Sequence, residues 1–171
     1  MNERLAEARE AVRSTAAAMA AAGLATGSSG NVSLRFDDRA LITPSGVPYA
    51  ELGVDQVIEI DSDGTRLSGA GEPSSEWRMH VAIYACRGDV GAIVHTHSPV
   101  ATAAAVVLST LPILHDEGKI LFGEALPVSA HRPPGTWELA NAVVDALGDV
   151  RGCLVAKHGA VAVGATPADA L

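Results

Sequence analysis

The sequence predicts an α/β domain, and three observations predict it. Segments with strand-like and helix-like patterning interleave along the whole chain, with no linker, internal repeat or low-complexity tract to divide it, so residues 1–171 read as a single domain. Hydrophobic residues make up 48% and charged residues 19%, the balance of an ordinary globular protein. Aromatics are only 4%, so the core must be built from Ala, Val, Leu and Ile packed closely.

The elements follow in order. Residues 2–22 are rich in Ala, Glu and Arg, with Leu5, Ala8, Val12 and Met19 near helical spacing, and Gly23 stands where a helix would be capped. Gly27-Ser28-Ser29-Gly30-Asn31 is too rich in Gly and Ser for regular structure. Segments 32–36 and 40–43 form a hairpin around Asp37-Asp38-Arg39. Segments 57–60 and 65–67 flank the turn Asp61-Ser62-Asp63-Gly64. Pro73-Ser74-Ser75-Glu76 opens a helix with Ser74 or Ser75 as its cap. Residues 91–96 are a buried strand, and Ser98-Pro99 opens a helix over about 99–108. A middle region, 111–135, carries apolar runs without a clear period. A helix over 136–147 is capped by Thr136, and strands 153–156 and 160–164 lie around Lys157-His158-Gly159.

The net charge of −8 argues against general affinity for nucleic acid or anionic membranes. No stretch of about 20 apolar residues is present, and the N-terminus lacks the pattern of a secretory signal. Cys86 and Cys153 share no metal-type spacing and are expected to be buried, reduced thiols of a cytoplasmic protein.

Four features carry chemistry. His95-Thr96-His97 puts two imidazoles on one face of a strand, with Thr96 turned into the core. That spacing also arises in strands that bind nothing. His158, at the end of a strand and followed by Gly159, supplies a third nitrogen; three protein ligands with an open position is the pattern of a catalytic metal site. Glu76 complements a helix dipole or, alternatively, serves as a displaceable metal ligand and general base. Finally, Gly27 to Asn31, Thr43-Pro44-Ser45-Gly46 and Ser74-Ser75 offer backbone N–H groups that hold an anion without basic side chains. Each of these loops also reads as an ordinary turn.

The runs GLATGSSGNVSLR (23–35), ITPSGVPYAEL (42–52), PSSEWRMHVAIYACRGDVGAIVHTHSP (73–99) and KHGAVAVG (157–164) together resemble the class II aldolase/adducin family over nearly the whole chain. The resemblance implies a three-layer α/β/α fold with a central, mainly antiparallel sheet. It implies zinc held by His95, His97 and His158, with manganese or cobalt able to substitute. It makes Glu76 the catalytic acid/base that also touches the metal, and Asn31, Ser45, Gly46, Ser74 and Ser75 the holders of a substrate phosphate. It implies a cyclic homotetramer with the active site at a subunit boundary.

Two departures stand out. In the segment Pro112-Ile113-Leu114-His115-Asp116, Asp116 stands where fuculose-phosphate aldolases carry a proton-donating tyrosine, which makes His115 or Asp116 a candidate second proton carrier. The family's C-terminal helix is represented only by its first turn, Pro167 to Leu171. The expected function is zinc-dependent cleavage of a phosphorylated ketose, fuculose-1-phosphate-like, to dihydroxyacetone phosphate and a small aldehyde. An epimerase, decarboxylase or dehydratase on the same site is the alternative. A non-catalytic, adducin-like interaction domain is a third reading, disfavoured because all three histidines and Glu76 are present.

Overall fold

Helix α1 (Glu3–Ala21) opens the chain in the computed structural model, which describes residues 3–171; residue 2 of the expected helix lies outside the described residues. The helix ends at Gly23, whose φ of +71° suits a residue without Cβ. The amides of Gly23 and Leu24 donate to the carbonyls of Ala20 and Met19, closing the last turn as a Schellman motif.

Seven strands then build the central sheet: β1 (Asn31–Phe36), β2 (Arg39–Ile42), β3 (Ile58–Ile60), β4 (Arg66–Ser68), β5 (Ala92–Thr96) and, late in the chain, β8 (Gly152–Val155) and β9 (Gly159–Gly164). Their order is β4-β3-β2-β1-β5-β9-β8, with every neighbouring pair antiparallel. Alternation along the strands divides the core in two. Ile42, Ile58, Ile60, Ile93, Val155 and Val161 face α2 (Trp77–Cys86) and α5 (Trp137–Leu147). Val32, Leu41, Val57, Ala92 and Val94 face α1 and the last short helix, α6 (Pro167–Ala170). The sheet is therefore covered on both sides, which is the expected three-layer α/β/α arrangement.

Helix α3 (Pro99–Val107) lies where the Ser98-Pro99 signal put it, and Thr136 caps α5 by accepting from the Leu139 amide at 3.2 Å. Three sequence expectations need correction. The residue at the N-cap of α2 is Glu76, not Ser74 or Ser75: the Trp77 amide donates to the Ser74 carbonyl in a preceding turn, and the helix starts after it. The middle region is ordered as β6 (Thr110–Pro112), α4 (Asp116–Phe122) and β7 (Ala125–Pro127), with β6 and β7 forming their own two-stranded sheet. Cys153 is buried but Cys86, at the end of α2, is exposed.

The turn between β8 and β9 is tight. Lys157 sits at φ +59°, the His158 amide donates to the Val155 carbonyl at 3.0 Å, and β9 begins at Gly159 directly against the end of β5. A Cβ on Gly159 would lie 2.0 Å from the Thr96 carbonyl oxygen. Gly159→Ala is accordingly expected to lower stability by about 1–3 kcal/mol, as overpacking does. Urea unfolding checks this: the midpoint should fall while the slope stays constant.

Candidate metal centre

Three elements converge at one edge of the α2-facing side of the sheet. His95 is buried in the last turn of β5, and His97 lies just beyond the strand end but on the same side. Thr96 turns to the opposite face, where it is half-buried rather than in the core. His158 enters from the β8–β9 turn, and Glu76 from the start of α2. The potential ligand atoms of Glu76, His95, His97 and His158 all lie within 4.8 Å of one another. His95 Nε2 is 3.0 Å from His97 Nε2 and 3.0 Å from Glu76 Oε2, and His158 Nε2 is 3.5 Å from Glu76 Oε1. Nitrogens on a tetrahedral zinc are about 3.3 Å apart, given bonds of about 2.0 Å.

The protons in the cluster can be placed. His95 Nδ1 lies 2.9 Å from the Ala160 carbonyl, which can only accept, so Nδ1 carries the hydrogen. In its neutral form His95 would turn the lone pair of Nε2 toward the Glu76 carboxylate and the His97 ring, whereas a protonated ring would donate there to Glu76. Such a convergence of lone pairs is stabilised by a cation placed among them. Glu76 Oε1 is buried and has no hydrogen-bond partner, which leaves one carboxylate oxygen for that cation. The donor set therefore fits a divalent metal ion, with His97 and His158 only half-buried on the open side.

The electrostatics agree. Burial alone would raise the Glu76 pKa, but the hydrogen bond and charge of His95, the charge of His158 and the Asn31 amide outweigh it and hold the carboxyl at about 2. Burial, then the neighbouring His95 and His158, lowers His97 to about 4. Burial and His95 also lower His158. These donors are deprotonated at neutral pH, as metal ligation requires.

The loops that were expected to hold phosphate are stitched together behind this edge. The Tyr49 amide donates to the Gly27 carbonyl, the Ser74 amide to Thr43 and the Ser45 amide to Glu72. Tyr49 Oη donates to the Gly30 carbonyl at 2.5 Å. The backbone amides of Ser45 and Ser74 are thus already used, and the Ser74 hydroxyl accepts from the Glu76 amide at 3.3 Å. Ser45, Gly46 and Ser75 are exposed. Asn31 is 2% exposed and donates one amide hydrogen to Glu76 Oε2 at 3.0 Å. His115 and Asp116 are not part of the cluster: both are exposed, with His115 at the N-cap of α4.

Sequence reasoning missed what lies behind Glu76. His80, one turn after Glu76 and expected to lie in the core or behind a metal ligand rather than to be one, is fully buried between Asn31 and Ser33, and Ser33 reaches on to Tyr84. The signal was in the spacing: Asn31 and Ser33 share one strand face, and Glu76, His80 and Tyr84 follow at helical intervals of four. His131 is exposed, yet near enough to contribute to the lowering of His158.

An antiparallel sheet covered by helices on both faces, with three histidines and one carboxylate gathered at the end of β5, gives an α/β domain whose site fits a divalent metal ion. Residues 10–171 match the family model described as the class II aldolase and adducin N-terminal domain, and the chain belongs to that family. It is 41% identical over 144 residues to a 5-methylthioribulose-1-phosphate/5-deoxyribulose-1-phosphate aldolase of Rhodospirillum rubrum, covering 84% of this chain and 65% of the relative. It is 38% identical over 140 residues to an L-fuculose phosphate aldolase of Escherichia coli, covering 82% and 65%. A solved L-fuculose 1-phosphate aldolase superposes with a TM-score of 0.91 at 30% identity, covering 96% of this chain and 78% of that one. The chain thus spans 65% of the length of these two curated relatives.

Buried neutral histidines make the metal-free protein sensitive to acid. His97 and His80 titrate at about 4 and about 3 when folded, against 6.5 for the free side chain. The unfolded chain therefore takes up these protons first, so stability should be full above pH 6.5 and fall as pH drops toward 4. Glu76, lowered from 4.5 to about 2, adds a further loss below pH 4.5. Urea midpoints of chelator-treated protein between pH 7 and 4 measure this; a flat profile contradicts it.

Proposed function

We propose that this protein is a zinc-dependent aldolase that cleaves a ketose 1-phosphate to dihydroxyacetone phosphate and a small aldehyde. The observation that carries the reading is the convergence of Glu76, His95, His97 and His158 within 4.8 Å. The similar proteins whose names specify fuculose phosphate and 5-deoxy- or 5-methylthioribulose 1-phosphate support that substrate class. Zinc is the preferred ion for three imidazoles and a displaceable carboxylate, with manganese or cobalt as substitutes.

A divalent cation bound by these residues supplies a Lewis acid for the ketose carbonyl. Cleavage also requires the hydroxyl β to that carbonyl to lose a proton, the intervening carbon–carbon bond to break, and the ketone fragment to gain a proton at carbon. Glu76 Oε1, which has no hydrogen-bond partner, is the atom placed to take and return a proton. His95 is held by Ala160 so that its Nε2 stays aimed at the centre. The phosphate is taken at the exposed rim by Ser45, Gly46 and Ser75, with Ser74 and the remaining Asn31 amide hydrogen behind them. Fixing the phosphate fixes which bond lies over the centre.

His115 and Asp116 enter this scheme from a neighbouring copy. Their position on an exposed segment away from the cluster is what a site shared between subunits requires. Val100, Val107, Leu114 and Ile120, on and around α3 and α4, are 77–88% exposed, which favours burial against a second copy in the proposed homotetramer. No helix among the described residues is long and apolar enough to cross a membrane, and a cytoplasmic enzyme is the simplest setting.

The test is release of dihydroxyacetone phosphate from a panel of ketose 1-phosphates, with and without a chelator. Chelator-sensitive release from at least one member is expected; none, from metal-loaded protein, would favour epimerase or decarboxylase chemistry. Glu76→Gln is expected to lower kcat by about 100-fold or more. Leu114→Asp should shift the oligomer toward smaller species in sedimentation.

A further inference from the structure

The centre is backed by a line of buried polar side chains of which the reaction scheme uses only the first two, Glu76 and Asn31. From Glu76 Oε2 it runs to Asn31 Nδ2 at 3.0 Å, from Asn31 Oδ1 to His80 Nε2 at 2.5 Å, from His80 Nδ1 to Ser33 Oγ at 2.6 Å, and from Ser33 Oγ to Tyr84 Oη at 2.7 Å. His80 and Ser33 are 0% exposed, Asn31 2% and Tyr84 8%, so no bulk water relieves an error in the line.

Every hydrogen in it follows from one end. The ionised Glu76 carboxylate can only accept, so the Asn31 amide must point its NH2 there. That leaves the Asn31 oxygen facing His80, which must then carry its hydrogen on Nε2. Burial lowers the His80 pKa to about 3, so the ring is neutral and Nδ1 bears a lone pair. Ser33 donates to Nδ1 and accepts from Tyr84. The far end is clamped as well: Arg35 donates to the Tyr84 carbonyl at 2.9 Å and stacks 4.7 Å over its ring.

The alternative tautomer of His80 would face the Asn31 oxygen with a lone pair. Asn31 would escape that repulsion only by flipping its amide, which would set its oxygen against Glu76. The hydrogen on His80 Nε2 is therefore what keeps a donor on the metal-facing carboxylate. We propose that His80 is a positioning residue of the metal centre, acting through Asn31 to aim and hold the Glu76 carboxylate. The inference rests on the metal-binding part of the proposed function and is independent of which reaction the site performs.

Cobalt titration of chelator-treated protein, followed by the visible absorption of the bound ion, tests it without any substrate. His80→Leu, which keeps bulk and removes both ring nitrogens, should weaken cobalt binding by about 10–100-fold, as loss of an outer partner does. His80→Gln, whose amide nitrogen can replace Nε2, should restore binding to within about threefold of wild type. In an Asn31→Leu background, His80→Leu should add little, because the path to Glu76 is already broken. Ser33→Ala removes the donor to Nδ1 without adding volume, and it should weaken binding several-fold even if His80→Leu does not fold. Equal affinities for the Leu and Gln variants, full additivity with Asn31→Leu, or unchanged binding in Ser33→Ala would overturn the proposal. Wild-type protein that binds no cobalt would overturn the metal reading itself, a separate result.

Discussion

The register of β5 between β1 and β9 is the constraint on which the rest depends. On one side it sets Asn31 directly across from His95; on the other it sets His95 opposite Val161 and Thr96 opposite Ala160. A slip of one residue in either ladder would turn the histidines to the α1 face and bring Val94 to the metal edge. The register is well defended. Ile93 and Val94 are buried on opposite faces, so a slip would exchange two packed layers rather than expose one. Gly159 defends it differently, since only a residue without Cβ lets the β9 backbone close on Thr96 and bring His158 alongside.

Given that frame, the charge balance of the centre follows. Three neutral imidazoles and one carboxylate carry a charge of −1, and a divalent cation among them leaves a local +1. With such a cation bound, a protein of net charge −8 would present a positive point to the anionic sugar phosphate of the proposed reaction. This is a stronger basis for anion recognition than the loops alone. Two of the backbone amides expected to serve the phosphate, at Ser45 and Ser74, are spent on holding the loops to one another. In the proposed scheme the loops would supply shape and the bound cation charge.

Much of this was legible in the sequence because it rests on local periodicity. The i, i+2 spacing of His95 and His97 put both rings on one side even though His97 lies beyond the strand, and glycine marked the end of α1 and the start of β9. Asn31 was expected to hold a substrate phosphate; its hydrogen bonds to Glu76 and His80 were not foreseen, because they depend on how α2 docks against β1. The start of α2 was misplaced for a related reason: a serine is the better cap by propensity, yet Glu76 is drawn into the cap position by the metal-edge histidines and Asn31. The β6–α4–β7 segment escaped notice since its strands are three residues long, contain Pro112 and Pro127, and leave apolar side chains exposed, so no face-specific pattern exists to read.

The two sides of the centre differ in kind, and the difference bears on how one fold serves several substrates. Behind Glu76 the side chains from Asn31 to Tyr84 are buried and joined by hydrogen bonds, and altering one of them disturbs the rest. In front, Ser45, Gly46 and Ser75 are exposed, and His131 and Arg132 lie on an exposed loop ending at Gly135, where an added Cβ would come within 2.9 Å of the Ser75 carbonyl oxygen. Changes at that rim leave the strand registers and the buried line intact. Side chains at that rim can therefore vary without disturbing the carboxylate geometry, which is set from the core.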